Sequence, residues 1–207
     1  MTMLTIAVGT GRTSKEAIAI LQKAGIFFPE YEAKTRKLVL MDETKKIKLI
    51  LVKNADLTTY VERGAADIGF TGKDMILEQT PDVYEVLDLK IGRCKIAVAG
   101  FPNTFKHHKA VTVATKYPVI TKQYFKEQQV RVETIALSGS IELAPLLGLS
   151  DVIVDIVETG TTLKENGLVI LEEIREISTR CIVNKASFAT KTVEVEQFIE
   201  NIQKGLG

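Results

Sequence analysis

The sequence predicts an α/β protein with mainly parallel sheets. Short runs of β-branched apolar residues alternate with amphipathic, helix-like segments along all 207 residues, and this alternation is typical of βαβ units. Two of the strand-like runs, at 67–70 and 152–157, lead into a Thr-Gly turn and then a helix-like segment. Because this unit recurs about half a chain apart, we expect two α/β lobes that share a ligand cleft.

The first half of the chain begins with a strand at 4–8, a glycine-containing turn and a helix. Thr13 and Glu16 have the spacing of a capping box at the start of that helix, and Gly25 marks its end. Aliphatic runs and the polar residues between them predict the remaining elements of this half, which are strands at 36–41, 47–52, 67–70 and 84–89 and helices at 56–63 and after Gly72.

The second half continues the alternation. Pro118 stands near the start of a helix at 118–128, and the serines of 138–140 predict the cap of a short helix that contains Glu142. Apolar residues around 195–202 recur at i, i+3, i+4 and i+7, which indicates an amphipathic closing helix. Strands are predicted at 95–99, 111–114, 130–137, 152–157, 168–174 and 180–184.

The lobes have no low-complexity linker between them. We place the two crossings of the chain near Ile91 and Ile177. Residues 1–91 together with 178–207 then form a discontinuous lobe I, and residues 92–177 form lobe II.

The composition excludes several classes of protein. Hydrophobic residues make up 45% of the chain, and a net charge of +1 provides no basic field for nucleic acid or an anionic membrane. No apolar run has the length that crosses a bilayer, and the N-terminus lacks the basic region of a secretion signal. We therefore expect a cytoplasmic protein that binds any phosphate by local geometry, without nucleic acid or membrane as a partner.

The most informative segment is the run 152–157 with the turn that follows it. The turn 159–162, Thr-Gly-Thr-Thr, supplies hydroxyls, a flexible glycine and main-chain N–H groups where a helix begins. Groups of this kind cradle a phosphate dianion. Asp155 lies near the end of the strand, where it can accept hydrogen bonds from sugar hydroxyls. The segment therefore predicts a phosphorylated sugar as ligand, and lobe II carries it.

Six collinear segments match one known family: Gly11-Arg12, 66–74, 88–95, 114–118, 137–146 and 155–168. On these segments the chain resembles the catalytic subunit of the ATP phosphoribosyltransferase family, which opens histidine biosynthesis. The resemblance implies two α/β lobes like those of periplasmic solute-binding proteins, with the active site in the cleft between them. It also implies transfer of a phosphoribosyl group from phosphoribosyl pyrophosphate to N1 of ATP.

The resemblance implies partners as well. Magnesium is expected as a cofactor that travels with the pyrophosphate, without a metal site of the protein's own. The chain stops at Gly207 and so resembles the short form of the family, which works in a hetero-oligomer with a regulatory subunit similar to histidyl-tRNA synthetase. A homodimer of the catalytic chain is also expected.

The candidate residues of lobe II follow from this likeness together with the chemistry of the turn. Asp155 is expected to hold the ribose hydroxyls and to act in catalysis. Glu158 is a second sugar or metal contact, or a carboxylate that only favours the dipole at a helix N-terminus. Glu142 is expected on the ATP side or as a solvated acid. The residues expected to bind the 5′-phosphate are Thr159, Gly160, Thr161, Thr162 and Leu163.

The candidate residues of lobe I are expected to bind the polyphosphates. Arg12, beside Gly11, is the catalytic candidate because a guanidinium matches phosphate oxygens, and Lys53 adds charge. Asp74 would contact substrate or magnesium, or would only begin a helix. The family usually has Pro-Lys in place of Gly9-Thr10 and Pro in place of Asn54, so this lobe departs from the pattern at three positions.

Two other functions remain open from the sequence. A phosphoribosyltransferase for another base would share the phosphate turn. A non-catalytic two-lobe module that binds a small molecule would share the fold but would not need the turn.

Overall fold

The computed structural model describes residues 3–11, 13–31, 36–102, 104 and 110–206. Contacts within the chain divide it into two compact units, Met1–Gly92 with Ser178–Gly207 and Arg93–Ile177. The chain therefore passes between the units twice, near residues 92 and 177.

The described residues form strands and helices in alternation. The strands are β1 (Leu4–Thr10), β2 (Val39–Met41), β3 (Ile47–Lys53), β4 (Ile68–Gly72), β5 (Val83–Asp88), β6 (Cys94–Gly100), β7 (Ala110–Thr115), β8 (Arg131–Ala136), β9 (Val152–Val157), β10 (Val169–Ile177) and β11 (Thr179–Asn184). The helices are α1 (Ser14–Lys23), α2 (Asn54–Glu62), α3 (Lys73–Gln79), α4 (Pro118–Glu127), α5 (Leu143–Leu146), α6 (Thr161–Glu165), α7 (Lys185–Thr190) and α8 (Thr192–Leu206).

The first unit contains a six-stranded sheet in the order β2-β3-β1-β4-β11-β5. Strand β1 pairs in parallel with β3 and β4, whereas the other neighbours pair antiparallel. On one face the sheet packs against apolar side chains of α1 and α8, such as Leu21 and Phe198. On the other face Ala7 and Ile182 pack against Leu57 and Val61 of α2. Cys181 of β11 is buried within this sheet.

The second unit contains a five-stranded sheet in the order β10-β6-β9-β7-β8. Strand β7 pairs in parallel with β8 and β9, whereas β6 pairs antiparallel with β9 and β10. The predicted α/β class is confirmed, but the pairing is more mixed than the mainly parallel sheets we expected. The antiparallel pairs involve the strands next to the two crossings, β5, β6, β10 and β11, and the short hairpin β2–β3.

The ends of several elements differ from the prediction. Strand β1 continues to Thr10, through what we expected to be a turn. The capping box is wrong, because the Thr13 side chain makes no cap hydrogen bond. Instead, Glu16 Oε2 accepts a hydrogen bond from Gly92 N at 3.0 Å. Helix α7 was not predicted; it begins after Asn184, whose Oδ1 accepts a hydrogen bond from Ser187 N at 2.9 Å.

Over the ranges that the structure describes, we find no helix with both the length and the apolar character needed to cross a membrane.

Candidate active site

The parallel strands β7, β8 and β9 end at the same edge of the second sheet. Thr115 of β7 lies beside Ala136 of β8 on one side and Val154 of β9 on the other. The connection after β7 leads to β8, whereas the connection after β9 leads to β10 at the opposite end of the sheet. Connections that leave two neighbouring parallel strands in opposite directions open a crevice between them, where α/β sheets bind ligands.

The turn after β9 lies at this crevice, and its hydroxyl groups are at the surface. Gly160 has φ +74°, a conformation that residues with a side chain rarely adopt. Thr159 Oγ1 and Thr161 Oγ1 are 3.0 Å apart, and both residues are exposed. The N–H groups of Thr162 and Leu163 lie in the first turn of α6, where a helix offers them no acceptor. Hydroxyls and main-chain donors are thus presented together.

Buried side chains hold this turn at both ends. Leu163 is only 6% exposed and belongs to the same apolar cluster as Val157 before the turn and Leu168 after it. Because the cluster fixes the backbone on both sides, the turn is preorganised and its hydroxyls are left at the surface.

Asp155 lies in β9, two residues before the strand ends. Its side chain is half-buried, and Oδ1 accepts a hydrogen bond from Ile156 N at 2.8 Å. Glu158 is the first residue after the strand and is exposed. The two carboxylates therefore lie on the same segment as the turn, as the sequence predicts.

Glu142 belongs to the loop between β8 and β9. Its neighbour Ile141 and the nearby Ala144 are buried in the same apolar cluster as Leu163, which keeps this loop at the carboxyl edge. The predicted helix around Glu142 is shorter than expected, because α5 begins only at Leu143. The predicted serine cap is also wrong: Leu143 N donates to the main-chain oxygen of Ser140, at 3.1 Å, and not to a serine side chain.

The first unit repeats this strand arrangement. Parallel strands β1, β3 and β4 end at one edge, and Thr10 is the register partner of Lys53. The chain leaves β1 toward β2 and β3 but leaves β4 toward β5, on the other side of the sheet. Gly11, Lys53 and Asp74 therefore lie at the carboxyl edge of this unit. Arg12 lies outside the described residues.

Two glycines in the first unit leave room for neighbouring polar side chains. A Cβ on Gly72 would lie 2.0 Å from Asp74 Oδ1, and Asp74 is only 8% exposed. A Cβ on Gly9 would lie 1.6 Å from Asn54 Oδ1. A side chain at either glycine would therefore displace the polar side chain of Asn54 or Asp74 from its present position.

Thr115 and Asn54 were not singled out as site residues by the sequence, although both lie at a carboxyl edge. Thr115 is fully buried and hydrogen-bonded to Val154 of β9. In the sequence it lies within the matched segment 114–118 and one residue beyond the predicted strand 111–114, but nothing there assigns a role to its hydroxyl.

No three His, Cys, Asp or Glu side chains converge into a metal-binding group in the part of the chain that the structure describes.

Comparison with known proteins agrees with this geometry. The family model described as HisG: ATP phosphoribosyltransferase matches residues 53–204. The chain belongs to the ATP phosphoribosyltransferase family. The resemblance seen in the sequence is therefore confirmed.

Named members of the family match the chain along its whole length. The ATP phosphoribosyltransferase of Oceanobacillus iheyensis is 49% identical over 208 residues, which covers 100% of both chains. A chain of the ATP phosphoribosyl transferase (HisG:HisZ) complex from Thermotoga maritima superposes with a TM-score of 0.85 at 35% identity, covering 99% of this chain and 98% of that one.

A more distant structure shows the fold alone. The periplasmic aliphatic sulphonate binding protein SsuA of Escherichia coli has a TM-score of 0.60 at 11% identity, covering 100% of this chain and 73% of that one. The predicted likeness to periplasmic binding proteins is confirmed at the level of the fold.

Proposed function

We propose that this chain transfers the 5-phosphoribosyl group of phosphoribosyl pyrophosphate to N1 of ATP, the first step of histidine biosynthesis. In this reaction the bond from the ribose C1 to the pyrophosphate oxygen breaks, and its electron pair leaves with pyrophosphate. N1 of the adenine forms the new bond to C1, which gives phosphoribosyl-ATP. The observation that carries the proposal is the preorganised Thr-Gly-Thr-Thr turn after β9, in a chain about half identical to named members of the family.

We assign the turn to the 5′-phosphate of the sugar. The hydroxyls of Thr159 and Thr161 would donate hydrogen bonds to the phosphate oxygens. The main-chain N–H groups of Gly160, Thr162 and Leu163 would do the same. These donors are held in place by the buried cluster, so that binding costs little ordering of the chain.

Asp155 would accept hydrogen bonds from the ribose hydroxyls while the turn holds the phosphate. Such bonds to a charged carboxylate orient the sugar and stabilise the positive charge that develops at C1. Glu158 is assigned to a second contact with the sugar or with magnesium, and Glu142 to the ATP side.

The carboxyl edge of the first unit is assigned to the polyphosphates. Arg12 with Gly11 and Lys53 would neutralise pyrophosphate or the ATP phosphates as the C1–oxygen bond breaks. Asp74 would contact substrate or magnesium. Because the reacting ring nitrogen is itself the nucleophile, these groups act by positioning and by charge stabilisation.

Magnesium is proposed to enter as its complex with phosphoribosyl pyrophosphate. Mg²⁺ in enzymes of this kind is commonly held by substrate phosphates together with one or two carboxylates. Asp74 and Glu158 are the side chains with the chemistry to complete such a site.

We further propose that the chain is the short form of the enzyme, acts in the cytoplasm and assembles with a regulatory subunit. The Thermotoga maritima relative is described as a HisG:HisZ complex. If the regulatory subunit of this enzyme resembles histidyl-tRNA synthetase, histidine should inhibit the assembly and not the isolated chain. Strong inhibition of the isolated chain by histidine would contradict this assignment.

The activity is tested by mixing the full chain, with and without its regulatory subunit, with ATP, phosphoribosyl pyrophosphate and Mg²⁺. Pyrophosphate release and the mass of the nucleotide product are measured. We expect phosphoribosyl-ATP. Consumption of adenine or hypoxanthine in place of ATP would identify a different phosphoribosyltransferase, and binding without pyrophosphate release would favour the binding module.

The role of Asp155 is tested by a matched pair of substitutions in the same strand region. Asp155→Asn should lower kcat/KM for phosphoribosyl pyrophosphate by about 10- to 100-fold, since hydrogen bonds to a charged group are lost. Asp151→Asn makes the same change just before β9, where Oδ2 accepts a hydrogen bond from Thr112 N at 2.7 Å. If kcat/KM fell equally in both variants, Asp155 would have no specific role in binding the sugar.

A further inference from the structure

Thr115 joins the ends of three strands at the proposed phosphoribosyl site. Its hydroxyl donates to the main-chain oxygen of Val154 at 2.7 Å and accepts a hydrogen bond from Tyr117 N at 2.8 Å. Its own main-chain oxygen accepts a hydrogen bond from Leu137 N at 3.0 Å. The residue is fully buried, at 0% exposure. One side chain thus connects β7 to β9, while its backbone connects β7 to the end of β8.

The hydroxyl adds a side-chain hydrogen bond at the last register pair of β7 and β9, which is Thr115 with Val154. Here Tyr117 N bonds to the Thr115 hydroxyl, which in turn bonds to Val154. The chain can therefore leave the sheet after β7 while these buried polar groups keep their partners.

This relay acts next to the residue assigned to the ribose. Val154 directly precedes Asp155, so the hydrogen bond to its carbonyl fixes the orientation of the peptide that carries Asp155 into the crevice. The same relay fixes the turn after β7, which forms the opposite wall of that crevice. The buried hydroxyl therefore adds to the main-chain ladder in fixing how β7 and β9 end at this crevice.

We propose that Thr115 is a positioning residue for phosphoribosyl pyrophosphate, an inference that rests on the proposed function. It touches neither substrate nor reacting atoms in this assignment. It holds the end of β9 so that Asp155 and the turn after it meet the sugar and its phosphate together. Loss of its hydroxyl should therefore weaken binding of the sugar phosphate more than binding of ATP.

A neighbouring threonine provides a matched control. Thr121 of α4 is also 0% exposed, and its hydroxyl donates to the main-chain oxygen of Tyr117 at 2.7 Å. Its hydroxyl also makes a longer hydrogen bond to Thr115 Oγ1, at 3.3 Å. Replacing Thr121 nevertheless leaves both bonds of the relay in place, from Tyr117 N to the Thr115 hydroxyl and from that hydroxyl to Val154. Thr115→Val and Thr121→Val each remove one buried hydroxyl at nearly constant volume, so both should lower the thermal midpoint.

The experiment measures phosphoribosyl pyrophosphate binding by calorimetry with Mg²⁺, together with initial rates, on the full chain with its regulatory subunit. Thr115→Val should raise Kd and KM for phosphoribosyl pyrophosphate by about 10- to 100-fold, the scale expected when a binding group is displaced by about 1 Å. KM for ATP should change much less. Thr115→Ser, which keeps the hydroxyl, should restore both values, and Thr121→Val should leave them near those of the wild type.

The outcomes separate this inference from the proposed function. If the unmodified protein forms phosphoribosyl-ATP but Thr115→Val and Thr121→Val behave alike, the positioning role is wrong and the function stands. If the unmodified protein neither binds phosphoribosyl pyrophosphate nor forms the product, the proposed function itself is wrong. If Thr115→Val fails to fold, Thr115→Ser and Thr115→Ala are compared instead. The positioning role then requires that Thr115→Ala weakens binding of phosphoribosyl pyrophosphate and that Thr115→Ser does not.

Discussion

In the first unit, the missing side chain of one glycine leaves space for a neighbouring polar side chain. At Gly9 the space that a Cβ would need is occupied by the side-chain amide of Asn54, the residue that begins α2. Both positions depart from the residues that the family resemblance implies, and Gly9 leaves the space that the Asn54 side chain occupies. A change at one of them is therefore expected to depend on the residue at the other.

This dependence can be tested by a double-mutant cycle. Gly9→Ala should destabilise the protein by about 0.5–1.5 kcal/mol, because the new methyl group forces the Asn54 side chain out of its present conformation. Combining it with Asn54→Ala should recover most of that loss. Unfolding in urea measures both effects. Gly139→Ala is the control, because nothing lies within 4 Å of its Cβ position; an equal loss there would contradict the overlap.

At the scale of elements, one buried carboxylate attaches the C-terminal helices to the first sheet. Asp67, just before β4, accepts hydrogen bonds from Thr5 N at 2.7 Å and Ser187 Oγ at 2.6 Å. Lys191, between α7 and α8, lies 2.9 Å from both carboxylate oxygens. The side chain of Asp67 is only 7% exposed, so its charge depends on these partners.

Removal of the lysine should therefore be costly. Lys191→Met leaves the Asp67 carboxylate buried without its cation, and the free energy of unfolding should fall by about 3 kcal/mol. Lys185→Met removes a solvated partner of Asp82 and should have little effect. Chemical denaturation of the two variants measures the difference. Equal losses would show that Asp67 is satisfied by its other donors.

The hairpin of β2 and β3 should make stability depend on pH. Burial alone would raise the pKa of Asp42, but hydrogen bonds from the Thr44 hydroxyl and from the N–H groups of Ile47, Thr44 and Lys46 lower it below its ordinary value. A carboxyl group whose pKa is depressed by folding stabilises the protein above its unfolded pKa. That contribution is lost as the pH falls through the folded pKa.

The Asp42→Asn variant isolates this contribution. The wild type should be more stable than the variant at pH 7, and the difference should shrink as the pH falls below about 4. Urea unfolding at pH 7, 4 and 3 gives the two curves. A difference that stays constant over this range would assign the stabilisation to packing and not to charge.

The accuracy of the sequence predictions differs between these elements. The α/β class and most strands and helices follow from periodicity and from glycines, such as Gly25, that end helices. Helix α7 was missed because its cap, Asn184, is also the last residue of β11. Strand direction was predicted less well, because a run of buried residues such as β11 has the same pattern whether its neighbour runs parallel or antiparallel.

The candidate site, like the fold, could be predicted only in part. The turn after β9 could be predicted because glycine and three hydroxyl residues together carry a local signal. The relay through Thr115 could not, since its function depends on which carbonyl of another strand lies within reach. Fold and turn chemistry are therefore encoded locally, whereas the spacing of the crevice depends on tertiary contacts.

For the molecule as a whole, both passages of the chain out of the first unit depend on one carboxylate. Asp88 Oδ1 accepts hydrogen bonds from Lys90 N at 2.8 Å and Ser178 Oγ at 2.9 Å. Its other oxygen lies 3.3 Å from Arg180 Nη1. Main-chain bonds add to this, because Thr179 N donates to the oxygen of Ile91 at 3.0 Å.

Hydrogen exchange tests the role of this cluster. Asp88→Ala should raise the exchange rates of the Leu89 and Thr179 amides about tenfold, the effect of losing roughly 1–2 kcal/mol of local hydrogen bonding. Amides in the centres of β1 and β9 should keep their protection. Asp82→Ala, which removes an exposed acid, serves as the control. A uniform rise across both sheets would indicate global destabilisation instead.

The buried cysteine of β11 can be used to detect opening of the six-stranded sheet. Burial raises the pKa of the Cys181 thiol, which keeps it protonated and therefore unreactive in the native protein. Cys94, in contrast, is only half-buried. A thiol reagent consequently modifies Cys94 first and reaches Cys181 only when the strands around it separate, so the second labelling step marks the time at which the six-stranded sheet opens.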